Sequence, residues 1–333
     1  MKIRGMWRVR RAKHALESLA RHALSLQQSE TRLISDAQRF WNNPSNESLK
    51  QHSHWQGMGI FADDSRWLEI GRAHFRLYEE FSRLVAVKAP LKRIVDWGCG
   101  GGMNAVQLGP EADELYGVDI SPASLEECSR QMASVGLKNF VPVLIEASDP
   151  EIALGRVLGP CDLFFSAYVF ELLPSPEYGI RVLTIAHKML APGGMAIIQV
   201  KYNDGNWRTE SRRWGYGSNF ASNATYRIEE FWLAAERCGF TPKMVTLVPK
   251  QPLVDERNLR IFPSAQAHHC IADGCLRLRK RHRLVSVLSE LARCSRQPIG
   301  IRRFRMRLIR IGGREEISPA PPLAEPGRAL PWS

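Results

Sequence analysis

The sequence predicts an α/β fold with a doubly wound, mostly parallel sheet. An apolar strand at 93–95 leads into an acidic residue and a glycine-dense turn, and a short helix follows at 103–108. From residue 114 to residue 200, apolar strand patterns alternate with helical patterns. Parallel strands need a crossover connection, which is most often a helix, so this alternation favours a parallel sheet with helices on its faces.

The turn after the first strand has the features of a ligand-binding turn. Glycine has no Cβ, so a ligand can approach the main chain closely there. The short helix that follows would direct unpaired amides at an anionic group. Gly100, Gly102 and Ala105 fit the dinucleotide pattern G-x-G-x-x-A. Asp96 and Gly98 extend the same turn to D-x-G-x-G-x-G, which leaves two cofactor classes open at this point.

Composition and charge limit the function classes. The chain has 333 residues, 44% of them hydrophobic, which is enough for a packed core. No apolar run approaches the roughly 20 residues that a membrane span needs, and a secretory signal is lacking, so we expect a cytoplasmic protein. The seven cysteines form no C-x-x-C pair, which indicates reduced thiols. The net charge of +12 divides into +6 for residues 1–50, −3 for 51–262 and +9 for 263–333.

This charge distribution suggests three segments. Residues 1–50 are predicted to contain a basic amphipathic helix that packs on its own domain or on a partner subunit, with membrane, nucleic acid and organelle targeting as alternatives. Residues 51–262 are the predicted catalytic domain. Residues 263–333 are rich in arginine, end in prolines and are predicted to be poorly ordered. A cluster in this extension fits no common zinc spacing, so no metal site is expected: His268, His269, Cys270 and Cys275.

Two further landmarks follow the glycine turn in order. Asp119 ends the second strand, 23 residues after Asp96, where an acid can accept both ribose hydroxyls of an adenosine. The motif L-x-P-G-G then precedes an apolar strand at 195–200. Together with D-x-G-x-G-x-G, these motifs resemble class I S-adenosylmethionine (SAM) dependent methyltransferases of the small-molecule type. The resemblance covers about residues 62 to 262.

The resemblance implies SAM as cofactor and a seven-stranded sheet in which strands one and four are neighbours and the last two strands are antiparallel. It places Glu146 near the adenine amine, with Asp149 as the alternative. The implied cofactor-binding residues are Asp96, Gly98, Cys99, Gly100, Gly102, Asn104, Asp119, Ile120, Glu146, Ala147 and Ser166.

The residues that bind the molecule to be methylated, the acceptor, are expected in the segment before the first strand and in the aromatic loop after the fifth. Loops at the carboxyl ends of strands carry specificity. The substrate-binding candidates are Trp55, Trp207, Arg212, Trp214 and Tyr216. A general base is needed only for a poorly acidic hydroxyl or a protonated amine, and its candidates are His54, His74, Glu171 and Asp204. Leu172 stands where many relatives have a histidine.

The acceptor class follows partly by exclusion. Ser166-Ala167-Tyr168-Val169 replaces the N/D-P-P-Y/F/W motif of enzymes that methylate exocyclic amines of bases, or glutamine. We therefore expect methyl transfer to a hydroxyl or amine of a small molecule, a sugar or a glycan end. An RNA methyltransferase that uses its basic termini for phosphate contacts, and a SAM-binding protein without catalysis, are the alternatives. The sequence leaves the oligomeric state open.

Overall fold

The computed structural model describes residues 20, 27–43, 45–85, 91–207, 209–218, 222–247 and 258–265. All of them belong to one compact unit, Met1–Cys275. Most of the predicted basic helix, the candidate metal cluster and the remainder of the C-terminal extension lie outside the described residues. Within the described ranges, the search for a helix with the length and apolarity of a membrane span finds none.

Seven strands form one sheet with the order β3-β2-β1-β4-β5-β7-β6. Their bounds are β1 Leu91–Trp97, β2 Ala112–Asp119, β3 Phe140–Leu144, β4 Cys161–Ser166, β5 Leu190–Lys201, β6 Phe240–Leu247 and β7 Asn258–Ala265. Strands β1 to β5 pair in parallel, whereas β7 pairs antiparallel with both β5 and β6. The predicted α/β fold with a parallel sheet is confirmed.

Eight α-helices of the described residues surround or precede this sheet. Their bounds are α1 Glu30–Trp41, α2 Glu47–His52, α3 Asp64–Val85, α4 Ala105–Leu108, α5 Pro122–Ser134, α6 Ile152–Arg156, α7 Pro176–Met189 and α8 Ile228–Arg237. Polar caps explain several starts. Ser29, Ser121 and Ser175 each accept a backbone N–H of the first helical turn, and in α5 and α7 a proline follows the cap.

Two hydrophobic clusters flank the sheet and hold its central strands in place. Successive side chains of β4 alternate between them, since Phe164 belongs to one cluster and Leu163 and Phe165 belong to the other. Such alternation is expected for a strand buried on both faces. On one side of β1 lies β2, and on the other lies β4, so the carboxyl ends of these strands border a crevice at the point where the strand order reverses.

Two local predictions were wrong. The Pro-Gly-Gly turn lies inside β5, where the pairing with β4 shifts register between Cys161 and Leu163. Thr225 precedes a helical pattern in the sequence, which predicts a cap for α8, but its hydroxyl donates to the Thr209 carbonyl oxygen at 2.9 Å and Arg227 occupies the cap position. The short helix predicted at 103–108 is present at Ala105–Leu108, where a Gly-Pro pair ends it after four residues. A helix this short gives little support to the expected anion site at its amino end.

Candidate functional site

A cleft of about 870 Å³, counting the space at its open mouth, lies at the carboxyl ends of β1, β2, β3 and β4. Segments before β1 and after β5 close it from outside the sheet. The lining residues are Ala37, Trp41, His52, Ser53, His54, Trp97, Gly98, Cys99, Gly100, Met103, Asn104, Val118, Asp119, Ile120, Ile145, Ala147, Ala167, Tyr168, Val169, Leu172, Leu173, Pro174, Tyr178 and Tyr216.

The glycine turn forms the floor of the cleft, and its geometry requires glycine at two positions. Gly98 has a φ of 74° and Gly100 a φ of 52°, both in the left-handed region. A Cβ on Gly100 would stand 2.4 Å from the Ser53 carbonyl oxygen, and one on Gly98 would stand 2.4 Å from a Val169 methyl carbon. The turn is thus pressed between the segment before α3 and the end of β4.

Asp119 links the turn to β2. One carboxylate oxygen accepts the Gly100 N–H at 3.0 Å, and the other accepts the Ser121 N–H at 2.9 Å. Burial raises the pKa of Asp119 although these backbone donors act in the opposite direction. A carboxylate has about four lone-pair sites, so Asp119 keeps the capacity to accept two further hydroxyl groups.

Asp96 is a buried acid without a hydrogen-bond partner on either carboxylate oxygen. Burial first, and the neighbouring Asp119 carboxyl second, raise the pKa of Asp96 to about 8. Buried polar groups are normally hydrogen-bonded, and an unpartnered one is costly. The site is therefore suited to a cationic or donating group that would complete the bonding of Asp96.

The end of β3 differs from the expectation. Glu146 is exposed, bonds the Ser148 hydroxyl at 3.3 Å and lies outside the lining residues, whereas its neighbour Ala147 lines the cleft. The Ala147 N–H donates to Gln38 Oε1 at 2.5 Å, and Gln38 belongs to α1. Helix α1 therefore reaches across to the strand end where the sequence predicts Glu146, or alternatively Asp149, near the adenine amine.

Helix α1 and the loop after β5 form a roof over the cleft. The indole N–H of Trp41 donates to the Tyr216 hydroxyl at 2.6 Å, and that hydroxyl donates to the Leu172 carbonyl oxygen at 2.5 Å. Burial raises the pKa of Tyr216, so the phenol stays protonated and keeps donating. This chain of bonds joins three separate segments of the roof.

Two lining residues have strained backbones and contact each other. His54 has a φ of 56° and Tyr168 a φ of 61°, and they are the two non-glycine residues of the described ranges in the left-handed region. Their ring centroids lie 5.2 Å apart in an edge-to-face arrangement. Burial, and second the nearby His52, lower the pKa of His54 to about 4, which makes its imidazole neutral near pH 7.

His74 lies behind the residues that line the cleft. Its side chain is buried, and its Nδ1 lies 2.7 Å from Oδ1 of Asn104, which does line the cleft. The ring of His74 also lies 5.5 Å from that of Tyr168. His74 therefore orients lining residues rather than bordering the cleft itself.

Of the predicted cofactor residues, the cleft brings together seven: Gly98, Cys99, Gly100, Asn104, Asp119, Ile120 and Ala147. Among the acceptor-side candidates it brings in His54 and Tyr216. The candidates outside the lining are Asp96, Gly102, Glu146, Ser166, Trp55, His74, Glu171, Asp204, Trp207, Arg212 and Trp214.

Local bonding explains several of these positions. Ser166 donates its hydroxyl to the Trp97 carbonyl oxygen at 3.1 Å and so joins β4 to β1. Asp204 is exposed and accepts the Asn206 N–H and the Thr209 hydroxyl within its own loop. Glu171 is buried in the short helical turn after β4, next to Tyr226. These three side chains are engaged away from the cleft.

Several lining residues are absent from the predicted site residues. Tyr168 lies two residues after β4, and this position was a usable signal, but its left-handed backbone cannot be inferred from a tyrosine. The sequence pattern around Trp41 and Ala37 predicts a helix and nothing about a binding site. They reach the cleft only through the packing of α1 against Tyr216, which lies 175 residues further along the chain.

Comparisons with known proteins identify relatives of this chain. The sequence model of the family described as "Methyltransferase domain" matches residues 59–243. Aklanonic acid methyltransferase DauC from Streptomyces sp. (strain C5) is 30% identical over 100 residues, which are 28% of this chain and 42% of that protein. The match thus spans less than half the length of this curated relative.

Solved structures are also similar. An S-adenosylmethionine-dependent methyltransferase from Clostridium acetobutylicum is 12% identical and has a TM-score of 0.46 over 58% of this chain and 91% of its own. The N-methyltransferase NodS from Bradyrhizobium japonicum, solved with S-adenosyl-L-homocysteine, is 18% identical and has a TM-score of 0.44 over 58% of this chain and 86% of its own.

Proposed function

The chain belongs to the methyltransferase domain family and is a SAM-dependent methyltransferase, and from this premise we propose that it methylates a hydroxyl or amine of a small molecule or of a sugar or glycan end. One observation carries the proposal. The acceptor side of the cleft is walled by apolar and aromatic side chains: Ala37, Trp41, Leu172, Leu173, Pro174, Tyr178 and Tyr216.

The cofactor end of the cleft suits SAM. Asp119 would hold the ribose hydroxyls, and the glycine turn lets the cofactor approach the main chain at Gly98 and Gly100. Asp96 lies behind the lining, next to the lining residue Trp97, and its unpartnered carboxyl would favour a positively charged or donating part of the cofactor bound at the turn. When bound, SAM supplies a methyl group that the positive charge of its sulfonium activates for transfer.

The protein's own task is then alignment and exclusion of water. The bonds from Trp41 through Tyr216 to Leu172 hold the roof over the cleft. His54 offers a neutral imidazole near pH 7, which can accept a hydrogen bond from the acceptor. No described lining residue is a lysine or an arginine. A small, mainly apolar acceptor fits this wall better than a phosphate backbone does.

The curated relative supports a small-molecule acceptor. It is named for the methylation of aklanonic acid, a small molecule, although the similarity covers only part of either chain. The basic segments that an RNA acceptor would contact lie mostly outside the family match at 59–243 and outside the described residues. The described lining of the cleft, which holds no lysine or arginine, favours a small-molecule acceptor.

Methyl-labelled SAM tests the proposal. The full chain is incubated with labelled SAM and either a small-molecule fraction or an RNA fraction of cell extract, and Asp119→Asn serves as the control with impaired cofactor binding. We expect label in the small-molecule fraction that disappears in the variant. Labelled RNA without labelled small molecules would reject the proposal in favour of an RNA methyltransferase. SAM binding without transfer to either fraction would favour a non-catalytic SAM-binding protein.

A further inference from the structure

His54 and Tyr168 are distant in sequence but share one unusual property. Both are non-glycine residues with left-handed backbones, both line the cleft, and their rings contact each other. A left-handed backbone conformation is strained for a residue of this size. Such strain persists only where the surrounding structure imposes it, and it is concentrated at functional sites.

The surroundings of His54 show what imposes its conformation. The Trp67 indole N–H donates to the His54 carbonyl oxygen at 2.7 Å, and the Gly101 N–H donates to the carbonyl oxygen of Ser53 at 2.7 Å. The His54 ring also packs edge-to-face on Phe61 at 5.0 Å. The glycine turn of the cofactor site and α3 thus hold His54 against the cleft.

Tyr168 is held by the same glycine turn from the other side. Its neighbour Val169 packs so closely on Gly98 that a Cβ there would collide with it. The Tyr168 ring lies between two histidine rings, 5.2 Å from His54 and 5.5 Å from His74. One turn therefore supports both the cofactor floor and this pair.

The pair offers hydrogen bonds without charge. A neutral imidazole accepts or donates, and a phenol does both. Among the described residues that line the cleft, the one carboxylate is Asp119, which already accepts two backbone N–H groups, and there is no lysine or arginine. A protonated amine would lack a free counterion here, and so would an anionic acceptor. An uncharged hydroxyl group fits the pair.

We propose that His54 and Tyr168 form the acceptor-binding pair, and that the acceptor presents an uncharged hydroxyl group on an aromatic or otherwise apolar framework. This inference rests on the proposed function and narrows it, since it selects a hydroxyl over an amine. The aromatic roof of Trp41, Tyr178 and Tyr216 supplies the surface on which such a framework packs.

Probe binding to the full chain saturated with S-adenosylhomocysteine tests this pair without turnover. Calorimetry compares 2-naphthol with naphthalene, with the anion 2-naphthoate and with the cation 2-naphthylmethylammonium. We expect 2-naphthol to bind about tenfold more tightly than naphthalene, as one to two hydrogen bonds imply, and the two ions to bind more weakly than 2-naphthol. The preference for 2-naphthol over naphthalene should largely disappear in Tyr168→Phe and persist in Tyr202→Phe, a half-buried tyrosine outside the cleft.

His54→Gly separates a binding role from a structural one. Glycine adopts a φ of 56° without strain, but the variant also loses the ring contacts of His54 with Phe61 and Tyr168, so thermal unfolding serves here to show that the variant is folded. The same variant should lose the preference for 2-naphthol. A folded His54→Gly variant that keeps the full preference for 2-naphthol would show that His54 serves packing alone, and that result would refute the pair.

The other possible results of the binding and transfer measurements also test the pair and the proposed function. Tighter binding of 2-naphthylmethylammonium than of 2-naphthol overturns the hydroxyl assignment but leaves small-molecule methylation standing. Preference for 2-naphthol that is unchanged in both Tyr168→Phe and His54→Gly overturns the pair as well. If none of the four probes binds while RNA accepts label in the transfer assay, both the pair and the proposed function fall.

Discussion

Asp96 and Asp119 lie near the carboxyl ends of neighbouring parallel strands, and the Asp119 carboxyl adds to burial in raising the pKa of Asp96 to about 8. Asp119 has partners for both of its oxygens, whereas Asp96 has none. The free protein thus holds a protonated acid where a cationic cofactor is expected. Binding of the cofactor and ionisation of Asp96 should therefore be linked.

This linkage predicts a pH-dependent affinity for SAM. A cationic ligand prefers the ionised form of Asp96, so binding near neutral pH should release a proton. Between pH 6.0 and 7.5 the affinity should rise, by up to about 30-fold if Asp96 alone is responsible. Calorimetry in two buffers of different protonation enthalpy measures both quantities. Asp96→Asn should bind more weakly and with little pH dependence; equal affinities of the unaltered chain at both pH values would disprove the linkage.

The same pKa shift predicts how the stability of the free protein depends on pH. Because the folded-state pKa of Asp96 lies above its unfolded value, the folded protein binds more protons between about pH 4 and pH 8. The contribution of Asp96 to stability is complete below pH 4 and is lost as the pH rises through 8. The loss is at most on the order of 5 kcal/mol.

Asp96→Asn should therefore be more stable than the unaltered chain at pH 8 and similar to it at pH 4, in the absence of cofactor. Urea denaturation at the two pH values measures the difference. Saturating SAM should reduce the advantage of the variant, because the ligand stabilises the ionised acid. A variant that is less stable than the unaltered chain at pH 8 would show that Asp96 has a favourable partner in the free protein.

Two glycines with positive φ allow the effect of a close atomic contact to be measured separately from the effect of backbone strain. Gly100 and Gly136 both have positive φ, but a Cβ on Gly136 would meet nothing within 4 Å, whereas one on Gly100 would collide with the Ser53 carbonyl oxygen. Gly136→Ala should cost about 1 kcal/mol of stability and leave SAM binding unchanged. Gly100→Ala should also weaken SAM binding at least about tenfold. The turn must move to relieve the collision between the new Cβ and the Ser53 carbonyl oxygen.

Calorimetry and thermal unfolding on both alanine variants provide the two readouts. Equal effects of the two substitutions on SAM binding would mean that the approach of Ser53 to the turn does not matter for the cofactor.

The roof offers a prediction about stability. Tyr216→Phe removes the acceptor of the Trp41 indole N–H and the donor to the Leu172 carbonyl oxygen, both of them in buried surroundings. Loss of these bonds should cost about 1–3 kcal/mol. Urea denaturation measures the cost, and Tyr202→Phe is the matched control. A cost for Tyr216→Phe no greater than that for the control would contradict the role of Tyr216 in joining the roof.

The sequence predicts the parts of this site that depend on short-range patterns. The glycine turn and Asp119 were identified because a strand, a turn and a second strand place them at adjacent positions of a parallel sheet. The main error on the cofactor side has the same origin, since Glu146 was placed by local order alone. The exposure of Glu146 depends on the packing around it.

The acceptor side was much less predictable because it is assembled from distant segments. The contacts of Gln38 with Ala147 and of Trp41 with Tyr216 join α1 to residues more than 100 positions away. An amphipathic helix shows which face is apolar, but not what that face covers. The positive φ of Tyr168 results from tertiary packing, and a tyrosine in the sequence does not predict it.

The most direct test of the cofactor site is titration calorimetry of the full chain and of Asp119→Asn with SAM and, separately, with NADH. If Asp119 holds the ribose, SAM binds the unaltered chain in the micromolar range with one molecule per chain, the variant binds at least about tenfold more weakly, and NADH does not bind. Binding of NADH in place of SAM, or SAM binding that Asp119→Asn leaves unchanged, would contradict the account.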